Sequence, residues 1–147
     1  MSDTASATNE LTFTCILEAP RELVFRCMLE PEHLTHFWGP LGTSAPVDKI
    51  TIDPRPGGVF EATMVNDADG SEHTMRSVYV EIEPPEKLVW TEPENGMTTT
   101  SDFIDLGDGR TEVRIHQTNI PAMFRSADAQ AGFKSSLDRF AAYLSNL

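Results

Sequence analysis

The rhythm of its turn signals constrains this chain more than any other feature. Pro54-Arg55-Pro56-Gly57-Gly58, Asp67-Ala68-Asp69-Gly70, Pro84-Pro85, Asn95-Gly96 and Gly107-Asp108-Gly109 follow one another at short intervals. Each carries proline, which fixes φ, or glycine, which releases it, or both, so the chain turns there. The stretches between are rich in β-branched and aromatic residues and read as strands over 59–66, 71–83, 87–92, 97–105 and 111–118. Asp69-Gly70 carries the chemistry of a tight hairpin. Strands joined by so little chain pair antiparallel, because a parallel pair needs a long crossover.

The flanks complete the pattern. Over 11–17, Leu11, Phe13, Cys15 and Leu17 share one face and Thr12 and Thr14 the other, the alternation of a half-buried strand. Pro20 suits the first position of a helix that carries Leu23, Val24, Cys27 and Met28 at helical spacing. Pro31 ends that helix, a second short helix over 31–37 stops at Gly39-Pro40, and 47–52 is β-rich. Towards the C-terminus, Ser126 or Asp128 can cap a helix that runs to Leu147. Phe133, Leu137, Phe140, Ala141 and Leu144 form one apolar stripe on it, with Lys134, Ser135 and Asp138 off the stripe. Gly132 is costly inside a helix; either the helix is still beginning there or something approaches closely. The expected architecture is α+β: a curved antiparallel sheet of about six or seven strands around a long C-terminal helix. Residues 10–147 are expected to form one domain, and 1–9, small and polar, a frayed tail.

Charge narrows the function classes. Lys and Arg number 11 against 23 Asp and Glu, for a net charge of −12, and the basic residues are scattered singly. Such a chain repels phosphate backbones and anionic lipid surfaces, so neither nucleic acid nor a membrane is expected as partner. No apolar run approaches the ~20 residues that span a bilayer. The N-terminus lacks the basic start and apolar stretch of a secretory signal, so a cytoplasmic location is expected. Cys15 and Cys27 form no CxxC pair and read as buried thiols in a reducing compartment.

Four motifs carry a resemblance. His36-Phe37-Trp38-Gly39-Pro40 follows the Pro-opened helix; then come Arg55-Pro56-Gly57-Gly58-Val59-Phe60, Asp69-Gly70, and Glu81-Ile82-Glu83-Pro84-Pro85-Glu86-Lys87-Leu88-Val89-Trp90-Thr91. In this order and with these gaps, the chain resembles the family of homologues of the heat-shock-chaperone ATPase activator, within the START-like (SRPBCC) superfamily. The resemblance implies a helix-grip (START/Bet v-like) fold with a cavity between sheet and long helix. It also implies members that bind lipids, sterols, polyketides or hormones, with some catalysing cyclisations. The chain departs from the family pattern at Phe37 and at Phe133, where tryptophan is common, and at Ser77, where glycine is common.

Candidate chemistry is sparse. His33 and His36 lie three apart and could meet one metal, but no third ligand is evident, so no metal and no cofactor is expected. Glu61, Asp102 or Glu92 could do acid–base work if buried beside Arg76 or His116, although Glu61 alternates with Phe60 and points away from it. No nucleophile elbow, phosphate loop or HExxH motif is present, so no catalytic residue is assigned. The aromatic and methionine set says more. Trp38, Phe60, Met64, Met75, Tyr79, Trp90, Phe103, Phe133 and Leu137 are the expected cavity residues, and Met123 and Phe124 could join them. Methionine suits an adaptable apolar wall, and Tyr and Trp add a polar handle. The expected function is binding of a small apolar ligand, as a carrier or sensor. The alternatives are a protein-interaction domain acting as chaperone cofactor, with a chaperone or a second copy as partner, and a cyclase- or hydrolase-type enzyme.

Overall fold

The computed structural model describes residues 9–147, so the tail expected over 1–9 lies, Asn9 apart, outside the described residues. The chain folds as β1 (Leu11–Leu17), α1 (Arg21–Cys27), α2 (Pro31–Leu34), β2 (Thr43–Ser44), β3 (Ile50–Ile52), β4 (Val59–Asn66), β5 (Glu72–Glu83), β6 (Lys87–Thr91), β7 (Thr98–Gly107), β8 (Arg110–Thr118) and α3 (Ala127–Ser145). One eight-stranded antiparallel sheet runs in the order β1-β8-β7-β6-β5-β4-β2, and β3 pairs beside β2 on β4. The long helix lies on its concave face, as expected of an α+β helix-grip chain.

The strand count exceeds the expected six or seven through β2, a two-residue strand outside every expected stretch; β3, three residues long, falls within 47–52. The β-rich stretch 47–52 is not one strand. Val47–Lys49 forms a 3-10 turn in which Lys49 N–H donates to the Pro46 carbonyl, and pairing starts at Ile50. The helix expected over 31–37 is likewise shorter. After Leu34 the chain continues in turns, with Phe37 and Trp38 N–H both donating to the Leu34 carbonyl.

Period-two alternation decides what faces inward. Leu11, Phe13, Cys15 and Leu17 of β1 stand opposite Gln117, Ile115, Val113 and Thr111 of β8. Thr99, Ser101 and Phe103 of β7 continue the same rows. Between Tyr79 and Glu81 the β5–β6 register shifts, leaving Val80 half-exposed outside the ladder. A bulge of this kind bends the strand and increases local twist.

Helix α3 starts at Ser126, whose hydroxyl accepts from Ala129 N–H. Its stripe meets the sheet unevenly. Phe140 and Leu144 are buried, whereas Phe133 and Leu137 are half-buried. Phe140 stacks on Phe37 with ring centroids 4.0 Å apart and planes 7° apart. Arg139 reaches the carbonyls of Gly39, Pro40 and Thr43 at 2.8, 3.2 and 3.3 Å. The C-terminal half of the helix is therefore seated on the loop after α2, and its N-terminal half, with Phe133 and Leu137 only half-buried, is packed less closely on the sheet.

Candidate functional site

Where the helix packs less closely, a cavity of about 630 Å³ opens between α3, the concave sheet and the loop through Trp38. Its wall is mostly apolar side chains, four of them methionines: Met28, Met64, Met75 and Met97. Phe13 and Phe133 close one side, with ring centroids 4.5 Å apart. Trp38 and Trp90, the chain's two tryptophans, both border it, 6.3 Å apart at 61°. Phe124, in the 3-10 turn Ala122–Phe124, edges the rim against His73 at 6.4 Å.

A polar strip crosses this wall. Ser101, Thr99 and Gln117 are 1 %, 3 % and 7 % exposed and all border the cavity. Thr99 and Gln117 are cross-strand partners, and the Gln117 amide points at the Thr99 hydroxyl across 3.5 Å. Glu92 extends the strip, two residues beyond Trp90 on the same face, with its N–H on the Met97 carbonyl. Burial raises the Glu92 carboxyl above its ordinary range, opposed by a hydrogen bond from Asn95 and the positive field of His73.

Of the residues expected at the cavity, Trp38, Met64, Met75, Trp90, Phe103, Phe133 and Leu137 border it. Phe60 and Tyr79 do not. They stack on each other, 5.7 Å apart at 4°, and are 0 % and 1 % exposed. Phe60 also meets Trp38 and Trp90 edge-on, each at 5.2 Å, so these two tryptophans screen it from the space. Among the described residues the hydroxyls of Tyr79 and of Ser77 are buried without a partner, and burial pushes the Tyr79 phenol well up. Met123 is 72 % exposed and takes no part. Trp38 itself is half-buried, because one flank faces the cavity; its neighbour Phe37 is the buried anchor.

The other candidates go elsewhere. Glu61 pairs with Arg76 at 4.0 Å across β4 and β5, and His116 pairs with Glu10 at 3.3 Å, both on the outer face. Asp102 borders a separate, shallow surface hollow with Arg21 and Arg114. His33 lies between Glu30 and the Tyr143 hydroxyl, at 3.2 and 2.5 Å, while His36 stacks on the Tyr143 ring at 5.0 Å. Among the described residues no group of three or more His, Cys, Asp and Glu could hold a metal. Cys15 borders the cavity and Cys27 is fully buried; burial pushes both thiols up to about 11. Thr99, Ser101, Gln117 and Met97 were not among the expected site residues. The signal for Thr99, Ser101 and Gln117 was the inward alternation of β7 and β8, which a search for aromatic and methionine residues overlooks; Met97, just before β7, is a methionine that the expected set left out.

Solved structures share this architecture. Protein CV1439 from Chromobacterium violaceum superposes with a TM-score of 0.83 at 28 % identity, over 91 % of this chain and 96 % of that one. Protein NE0264 from Nitrosomonas europaea gives 0.81 at 22 % identity, over 95 % and 96 %. The AHSA1-like protein from Aeromonas hydrophila gives 0.81 at 18 % identity, over 93 % and 92 %. No curated protein sequence matches significantly. Among the described residues no helix is long and apolar enough to cross a membrane. The sequence profile of the family described as "Activator of Hsp90 ATPase homolog 1-like protein" matches residues 18–145, and the chain belongs to that family, within the START-like superfamily.

Proposed function

We propose that this protein binds a small apolar molecule in the cavity between α3 and the sheet, as a carrier or sensor. One observation carries the reading: a space of about 630 Å³, within the usual range of ligand sites, walled by apolar groups with a few convergent polar ones. An unfilled apolar space forfeits dispersion contacts and destabilises the fold, so its retention favours a molecule that fills it. The unpaired thiols of Cys15 and Cys27 fit a reducing, cytoplasmic setting.

The test is a thermal-shift screen of fatty acids, sterols, flavonoids and polyketides. A ligand at about 100 times its dissociation constant stabilises a fold by about 2.7 kcal/mol. A hit is expected to lose its effect when Leu137→Trp fills the cavity while the variant keeps a cooperative transition. No shift from any compound, or a hit indifferent to the blocked cavity, would refute the reading. The chaperone-cofactor alternative would then lead. Leu41 and Met123, 71 % and 72 % exposed beside the cavity residues Pro40 and Phe124, are where a partner chain would be sought.

A further inference from the structure

We infer that the molecule this cavity takes carries a hydrogen-bond-donating head, uncharged or cationic, and is not a carboxylate or phosphate. The inference rests on the cavity-binding reading and adds the polarity of the ligand.

The lining has a one-sided charge pattern. Its ionisable members are Glu72, Glu92 and Asp128, with Cys15 and His73, and among the described residues no Lys or Arg borders the cavity. The nearby Arg125 directs its Nε to the Ile120 carbonyl, and Arg139 is engaged by the carbonyls after α2. An anionic head would lose its hydration with no Lys or Arg to replace it, would find only the exposed rim residue His73 as a basic group, and would face three carboxylates. A donor meets the opposite situation. An ionised carboxylate is acceptor-only, and the Thr99 and Ser101 hydroxyls can accept as well as donate.

The buried strip indicates where such a head would lie. Ser101, Thr99 and Gln117 are more than nine-tenths buried and face the space, set among side chains that are otherwise apolar. A purely hydrocarbon occupant would offer these groups no bond beyond the one from Gln117 to Thr99, whereas a donor head would find an acceptor partner among them. Thr99 stands opposite Trp90, and Glu92 follows Trp90 on the same face, so strip and carboxyl are contiguous. The groups acting on Glu92 are His73, Glu94 and the Asn95 side chain; burial already opposes its charge, and a donor or cation would relieve that opposition where an anion would increase it.

Decan-1-ol, decylamine and decanoate share one chain and differ in the head. Titration of each, below its solubility limit or micelle concentration near pH 7.5, would be read by calorimetry and by fluorescence of Trp38 and Trp90. The alcohol and the amine are expected to bind at least about tenfold tighter than decanoate, the margin of one charge-assisted hydrogen bond. Glu92→Gln separates the two donor heads: the amine loses at least about tenfold and the alcohol loses less. An amine held merely by the acidic surface would be insensitive to the loss of one charge from a chain of net charge −12. Decanoate binding as tightly as the other two would overturn the head-group inference while leaving cavity binding in place. An amine indifferent to Glu92→Gln, with an alcohol no better than decanoate, would overturn it too. Failure of all three to bind would overturn both.

Discussion

Phe13 of β1 and Phe133 of α3 meet across one side of the cavity, ring centroids 4.5 Å apart and planes tilted by 47°. This contact holds the N-terminal half of the helix to the sheet's first strand. The Phe37–Phe140 stack holds its C-terminal half to the loop after α2. Between these two supports Leu137 is half-buried, packed against the core and bordering the cavity, which is how one amphipathic stripe serves both core and cavity wall.

The two supports and the wall should respond differently to truncation. Phe37 is 2 % exposed and stacked, so Phe37→Ala should destabilise the fold by about 3–5 kcal/mol. Trp38 is half-buried with a flank on the cavity, so Trp38→Ala should cost less stability and change ligand binding more. Chemical denaturation of both variants checks the order; a larger loss at Trp38 would contradict it.

Gly132 lies inside α3, and an added Cβ would stand 3.4 Å from the Pro40 Cβ, an ordinary contact. Gly132→Ala should therefore recover roughly 0.5–1 kcal/mol of helix stability. A lowered melting temperature would show that Pro40 cannot accommodate even a methyl group.

Cys15 and Cys27 make a matched pair of probes. Burial pushes both thiols up to about 11, so both alkylate slowly at neutral pH. Cys15 borders the cavity and Cys27 is 0 % exposed, so Cys15 should react first with a maleimide. A cavity ligand at saturation should slow Cys15 and leave Cys27 unchanged. Equal rates with and without ligand would place the ligand elsewhere.

Glu92 predicts a pH signature. A carboxyl raised by burial favours the folded state when protonated; that contribution is complete below its unfolded-state pKa and is lost as pH rises through the folded value. Glu92→Gln removes the loss. The variant should melt higher than the parent near neutral pH, with the gap closing towards about pH 4. A gap that widens on acidification would reverse the assigned direction.

Most of the sheet was legible because Gly57-Gly58, Asp69-Gly70 and Asn95-Gly96 stand at turns, and between turns a period of two decides each face. Pairs such as Thr43–Ser44 with Val65–Asn66 were not legible, since two residues carry no period. The cavity was half legible. Trp38, Met75 and Phe133 are conspicuous apolar residues on inward faces. Phe60 and Tyr79 looked the same in sequence, yet they pack behind Trp38 and Trp90, a depth that depends on how closely the helix packs on the sheet. Thr99, Ser101 and Gln117 were hidden by composition, because polar residues in a strand read as solvent-facing until the register sets them inside.

The methionines allow the most direct test that the cavity is the binding site. Met28, Met64, Met75 and Met97 border it, whereas Met123 is 72 % exposed and outside it. With methyl-labelled methionine, a ligand from the thermal-shift screen should move the resonances of those four methyls in a saturable, one-to-one titration and leave Met123 in place. Resonances of the four that stay fixed at saturation, or a shift confined to Met123, would contradict binding in the cavity.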